Sequence, residues 1–160
     1  MTPSPVHGFT RSLTRFIGRA DAANEVARLL DECRLVTVTG PGGVGKTRLA
    51  AEVAERVADR FADGVFLVEL ATVLDPAQVP AATAAALGVR EQPGFTVTDS
   101  LADMLARQQM LLVLDSCEHM SGAAAEMCAA LLPVADDVRI LATSREPLGV
   151  AGEARYRLPP

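Results

Sequence analysis

Gly40-Pro41-Gly42-Gly43-Val44-Gly45-Lys46-Thr47 restricts this chain more than any other stretch. A β-branched run, Leu35 to Thr39, leads into it and reads as a buried strand. Thr47 to Phe61 leads out, with Leu49, Val53 and Val57 recurring every fourth residue, the spacing of an amphipathic helix. Strand, glycine-rich turn and helix together are the setting that the GxxxxGK[ST] pattern requires. Glycines remove β-carbons, so backbone N–H groups can converge on the oxygens of a polyphosphate. The helix start presents its positive end to the same oxygens. Lys46 is a compact charge that can reach the β- and γ-phosphates, and the Thr47 hydroxyl suits Mg²⁺. Lys46 is also the single lysine among 15 basic residues, so the chain's one ammonium side chain falls on this turn.

The remaining chain alternates strands and helices. Asp21 to Leu30 has helical spacing, with Val26, Leu29 and Leu30 on one face. Gly64 to Leu70 reads as a strand, and Pro76 to Leu87 as an Ala-rich helix closed by Gly88. Thr98 to Gln109 reads as a helix capped by Asp99 or Thr98, with Leu101, Met104 and Leu105 inward. Met110 to Leu114 is a continuous apolar strand ending at Asp115; Ala123 to Leu132 is helical. Val138 to Ala142 and Arg155 to Leu158 read as further strands. Strands that are apolar throughout belong to a parallel sheet covered by helices on both faces. The expected organisation is an extended arm over 1–14 and an α/β core over 15–160.

At 160 residues with 49% hydrophobic and 22% charged residues, the composition is that of a folded domain. A net charge of −5 argues against direct nucleic-acid contact by this segment. No apolar run reaches the roughly 20 residues of a membrane helix, and the expected compartment is the cytoplasm. Cys33, Cys117 and Cys128 form no CxxC pair, and with two histidines no zinc spacing arises, so the thiols read as packing residues.

Turnover or sensing needs further groups near the terminal phosphate. Asp115 closes its strand at the carboxyl edge, where open parallel sheets bind ligands, and is the candidate to hold Mg²⁺ with Thr47. Glu118 reads either as the group that orients the attacking water or as a solvated carboxylate. His119 reads as a surface or capping residue. Arg145, after Thr143 and Ser144, reads either as a γ-phosphate contact or as the ion partner of Glu146 or another local carboxylate.

These residues in combination resemble the STAND-class P-loop ATPases, in particular the NB-ARC-like domain of bacterial transcriptional regulators of the LuxR and SARP type. The segments that carry the resemblance are FIGRADAANEVARLL, LVTVTGPGGVGKTRLAAEVA, LLVLDSCEH and ILATSREPLGVAGEARYRLPP. It implies a P-loop NTPase fold, with a five-stranded parallel sheet whose Thr143-Ser144-Arg145 strand lies between the phosphate-loop and Asp115 strands. It implies ATP or ADP with Mg²⁺ as ligands. Gly40, Pro41, Gly42, Gly43, Val44, Gly45, Lys46, Thr47, Arg48 and Thr143 would hold nucleotide, with Ile17, Gly18 and Arg19 near adenine and ribose. Lys46, Asp115, Glu118 and Arg145 would serve hydrolysis, and Thr47 and Asp115 the metal. Similar proteins cycle between an ADP-bound resting state and an ATP-bound state that self-associates and signals. The chain is accordingly expected to be a slow, Mg-dependent ATPase switch, working with sensor and output domains of a longer protein. On that resemblance, the core over 15–160 is expected to stop before the family's helical and winged-helix lid.

One departure stands out. Related ATPases often carry a second acid directly after the strand aspartate, and here that residue is Ser116. Ser116 keeps open a nucleotide-binding scaffold without hydrolysis, and the phosphate loop by itself also allows a small-molecule phosphotransferase.

Overall fold

A computed structural model describes residues 6–9 and 19–160. Among them are six strands: β1 (Val6–His7), β2 (Leu35–Thr39), β3 (Val65–Glu69), β4 (Leu111–Asp115), β5 (Arg139–Ser144) and β6 (Ala154–Arg157). Five α-helices connect or flank them: α1 (Ala20–Glu32), α2 (Lys46–Val57), α3 (Val79–Leu87), α4 (Val97–Leu105) and α5 (Ser121–Leu131). The strands form one sheet in the order β1-β3-β4-β5-β2-β6, and every pairing is parallel. The α/β class read from the sequence holds, and β5 does lie between β2 and β4. The sheet has one strand more than the five expected, because Val6 and His7 of the N-terminal arm pair with Val65 and Phe66.

The reason for unbroken apolar strands is visible in β4. Leu112 and Leu114 join a core with α3, α4 and α5, whereas Leu111 and Val113 join a core with α1 and α2. Successive side chains of a strand point to opposite faces, and here both faces are covered.

Local boundaries differ from expectation where capping chemistry decides them. The helix expected over Thr98 to Gln109 is shorter, and its cap is Thr96, neither Asp99 nor Thr98. The Thr96 hydroxyl accepts the amide of Asp99 at 3.1 Å while the Asp99 carboxylate accepts the amide of Thr96, a reciprocal capping box. The helix expected from Pro76 divides into a 3₁₀ turn, Pro76–Gln78, and α3, which Gly88 ends in the left-handed region as expected. Helix α2 gives way to a 3₁₀ turn at Ala58–Arg60.

The link from β5 to β6 is unusual. Parallel strands normally need a crossover of a dozen or more residues, most often a helix. Here residues 145–153 pass from β5 to β6, skipping β2, with no helix among them. Leu148 and Val150 pack onto the α3–α5 side of the sheet, so the crossover runs over that face.

Candidate functional site

The carboxyl ends of β2, β4 and β5 lie side by side, and the residues singled out in the sequence meet there. From the end of β2 the chain enters the 40–45 turn. Gly45 stands in the left-handed region (φ 96°, ψ 27°) directly before α2, a conformation that penalises a β-carbon. Lys46 opens the helix and is buried. Its ammonium donates to the Gly40 carbonyl at 2.8 Å and the Pro41 carbonyl at 2.9 Å, so the charge sits inside its own loop. Pro41, Gly42 and Gly43 are exposed, which leaves the turn open to a ligand from solvent.

Asp115 ends β4 and is buried. The Thr47 hydroxyl straddles its carboxylate, 2.9 Å from Oδ1 and 3.1 Å from Oδ2. The Thr143 hydroxyl donates to Oδ1 at 2.6 Å and accepts the Ser116 amide at 2.8 Å. One carboxylate thereby ties the start of α2 to the ends of β4 and β5. A hydroxyl and a carboxylate oxygen this close are hard donors of the kind Mg²⁺ takes, with water and phosphate oxygens completing its shell.

Ser116 is the one non-glycine residue with positive φ among those described (φ 62°, ψ 56°). That left-handed step turns the chain into a 3₁₀ turn, Cys117–His119. Glu118 is partly buried there, and its Oε2 is buried without a hydrogen-bond partner. A carboxylate oxygen so placed can accept a proton or a water hydrogen. His119 is exposed, as a surface residue. Burial above all, with the neighbouring thiol and carboxylates, pushes the Cys117 thiol up, and the group donates to the Leu114 carbonyl at 3.4 Å. Cys117 is thus a packing residue, as expected.

Arg145 is exposed and has no hydrogen-bond or ion-pair partner among the described residues, so the Glu146 pairing is not formed. Its guanidinium lies against the turn: a β-carbon built on Gly42 would be 3.4 Å from its terminal nitrogen. Arg48 is exposed on the first turn of α2. Arg19 closes the other flank, donating to Val44 at 3.4 Å and to Pro159 at 3.3 Å. Ile17 and Gly18, like residues 10–14 of the arm, lie outside the described residues.

Two side chains here carried no sequence signal. Glu153, after Gly152 in a stretch that reads as an ordinary surface turn, has a buried side chain that accepts from the Thr37 hydroxyl at 2.5 Å. Thr37 itself reads as one more strand residue.

Two concavities among the described residues lie elsewhere. One of about 160 Å³ is bordered by Leu30, Arg60, Phe61 and Arg139, and one of about 570 Å³ by Phe66, Val89, Met104 and Met110.

A family model described as an AAA domain matches residues 28–148. An uncharacterized protein of Mycobacterium tuberculosis is 43% identical over 154 residues, covering 96% of this chain and 39% of that protein. A second protein of that organism, named "Putative HTH-type transcriptional regulator", is 46% identical over 131 residues, 82% of this chain and 15% of its own length. The chain thus spans two fifths or less of the length of these relatives. Among solved structures, the Aeropyrum pernix ORC2 protein in ADPNP–ADP complexes superposes with a TM-score of 0.65 at 18% identity, over 91% of this chain and 48% of that one. A STAND protein with a tetratricopeptide-repeat sensor from Pyrococcus horikoshii superposes with a TM-score of 0.60 at 16% identity, over 98% and 24%. At these identities the structural likeness establishes the fold. No helix among the described residues is long and apolar enough to cross a membrane.

Proposed function

The chain belongs to the AAA domain family, and on that premise we propose that it is the ATP-binding, slowly ATP-hydrolysing switch of a longer signal-responsive regulator. The observation that carries the reading is the meeting of Thr47, Asp115 and Thr143 beside a buried Lys46. In this reading Lys46 exchanges its carbonyl acceptors for β- and γ-phosphate oxygens, and the backbone N–H groups of 42–48 take the remaining ones. Arg19 borders the adenosine side. Thr47 and Asp115 would hold Mg²⁺, which would supply positive charge to neutralise the phosphates.

For hydrolysis, the Glu118 carboxylate, three residues beyond Asp115, would accept a proton from the attacking water. Water oxygen bonds to the γ-phosphorus, the bond to the β–γ bridging oxygen breaks, and ADP and phosphate leave. Ser116 brings no second acid beside Asp115, which fits slow turnover. Arg145 contacts the γ-phosphate and so binds only the triphosphate state differently. That difference is what a ligand needs in order to shift a conformational equilibrium. The role in regulation rests on the relative named as an HTH-type regulator and on the STAND neighbour, both much longer than this chain.

Calorimetry with ATP and ADP on the full-length protein tests the reading. Lys46→Ala should weaken both by about a hundredfold, the scale of losing a charge-assisted contact. Affinities equal to wild type would refute it. Asp115→Ala and Glu118→Gln should bring steady-state phosphate release to background; unaltered release in both would leave binding without hydrolysis.

A further inference from the structure

Glu153 is an acid in the interior, with a side chain 2% exposed. An isolated buried carboxylate is costly, and this one is held by several donors. The Thr37 hydroxyl and the Leu148 amide donate to Oε2 at 2.5 and 2.8 Å, and the Gly149 amide to Oε1 at 3.1 Å. The Arg155 guanidinium stands 3.6 Å away. The three donors and the ion-pair partner come from three places: the middle of β2, the crossover, and β6. Leu148 and Gly149 lie three and four residues beyond Arg145. Thr37 belongs to the strand that delivers the phosphate loop.

The consequence concerns Arg145. Its side chain is exposed and has no partner among the described residues, so its own contacts do not fix where the guanidinium stands. Its location depends on the backbone that carries it. That backbone opens a crossover with no helix to stiffen it. The only side-chain acceptor for the amides of Leu148 and Gly149 is Glu153, among the described residues.

We propose that Glu153 is a positioning residue for Arg145. Its carboxylate anchors the crossover to β2, holds the guanidinium over the phosphate loop, and thereby sets how strongly the site distinguishes ATP from ADP. The proposal rests on the reading of Arg145 as the γ-phosphate contact.

The test uses the full-length protein, titrated with ADP and with a non-hydrolysable ATP analogue in the presence of Mg²⁺. The readout is the ratio of the two dissociation constants. Arg145→Ala should lower the preference for the triphosphate by about tenfold, the scale of one contact to a charged group. Glu153→Ala should lower it by a similar factor while ADP affinity stays within about threefold, because the phosphate loop keeps its own contacts. The double variant should show no further loss, since two residues acting through one contact are not additive. Glu153→Gln keeps one acceptor oxygen and should recover part of the preference. If Glu153→Ala does not fold, Glu153→Gln and Thr37→Val make the same comparison. A preference unchanged in the Glu153 and Thr37 variants, or additive losses in the double variant, would overturn the proposal while Arg145 keeps its role. An Arg145→Ala protein with unaltered preference would remove both.

Discussion

Thr143 and Asp115 are joined by a hydrogen bond of 2.6 Å between the ends of two neighbouring strands, and the same Thr143 hydroxyl accepts the Ser116 amide at 2.8 Å. One buried hydroxyl therefore orients the carboxylate and stabilises the left-handed step that follows it. Thr143→Val keeps the shape and removes both bonds. A buried carboxylate oxygen and a backbone N–H each lose a partner, which should cost about 1–3 kcal/mol. Thr143→Ser should retain most of the stability. Urea denaturation monitored by circular dichroism measures both, and a Thr143→Val protein as stable as wild type would contradict the role.

Gly40 illustrates a close approach that no side chain can relieve. A β-carbon there would meet the Leu158 carbonyl oxygen at 2.8 Å, and the Leu158 amide is itself bonded to the Thr39 carbonyl at 2.8 Å. Backbone must move, so Gly40→Ala should destabilise the fold by about 2 kcal/mol or more. Gly122, on the first turn of α5, would meet nothing within 4 Å. Gly122→Ala should stabilise by about 0.5 kcal/mol through helix propensity and a less free unfolded chain. Opposite shifts of the thermal midpoint are the expected result; shifts of the same sign would refute the packing argument.

The thiols should differ in reactivity. Burial pushes Cys128 up to about 12, with the Glu153 carboxylate adding to it, and pushes Cys117 up further. The thiolate is the reactive form, so both remain protonated and inert at pH 8. Cys33, at the end of α1 and only partly buried, should be alkylated first by iodoacetamide, as peptide mass spectrometry would show. Labelling of Cys117 or Cys128 as fast as Cys33 would be inconsistent with this core. The sign of the linkage follows. Both thiols hold their protons more tightly folded than unfolded, so stability is full below the ordinary value of 9.0 and falls as pH rises above it.

Much of this protein is local and was therefore open to reading along the chain. The phosphate loop is contiguous, and its strand and helix adjoin it, so residue type and spacing suffice for Gly40 to Thr47. Strand β2 has the boundaries its β-branched run suggests, and Gly88 ends its helix as a residue without a β-carbon should. Helix ends were less legible where a reciprocal bond decides them, as between Thr96 and Asp99. What periodicity cannot contain is the relation between distant strand ends. Asp115 and Thr143 are 28 residues apart, and Thr37 and Glu153 are 116 apart. Each pair forms a bond only because the parallel sheet sets β5 between β4 and β2 and sends the chain back over β2 to β6. Side-chain chemistry determined what the 40–47 turn offers, and strand order decided that the Asp115 carboxylate and the Thr143 hydroxyl stand beside it.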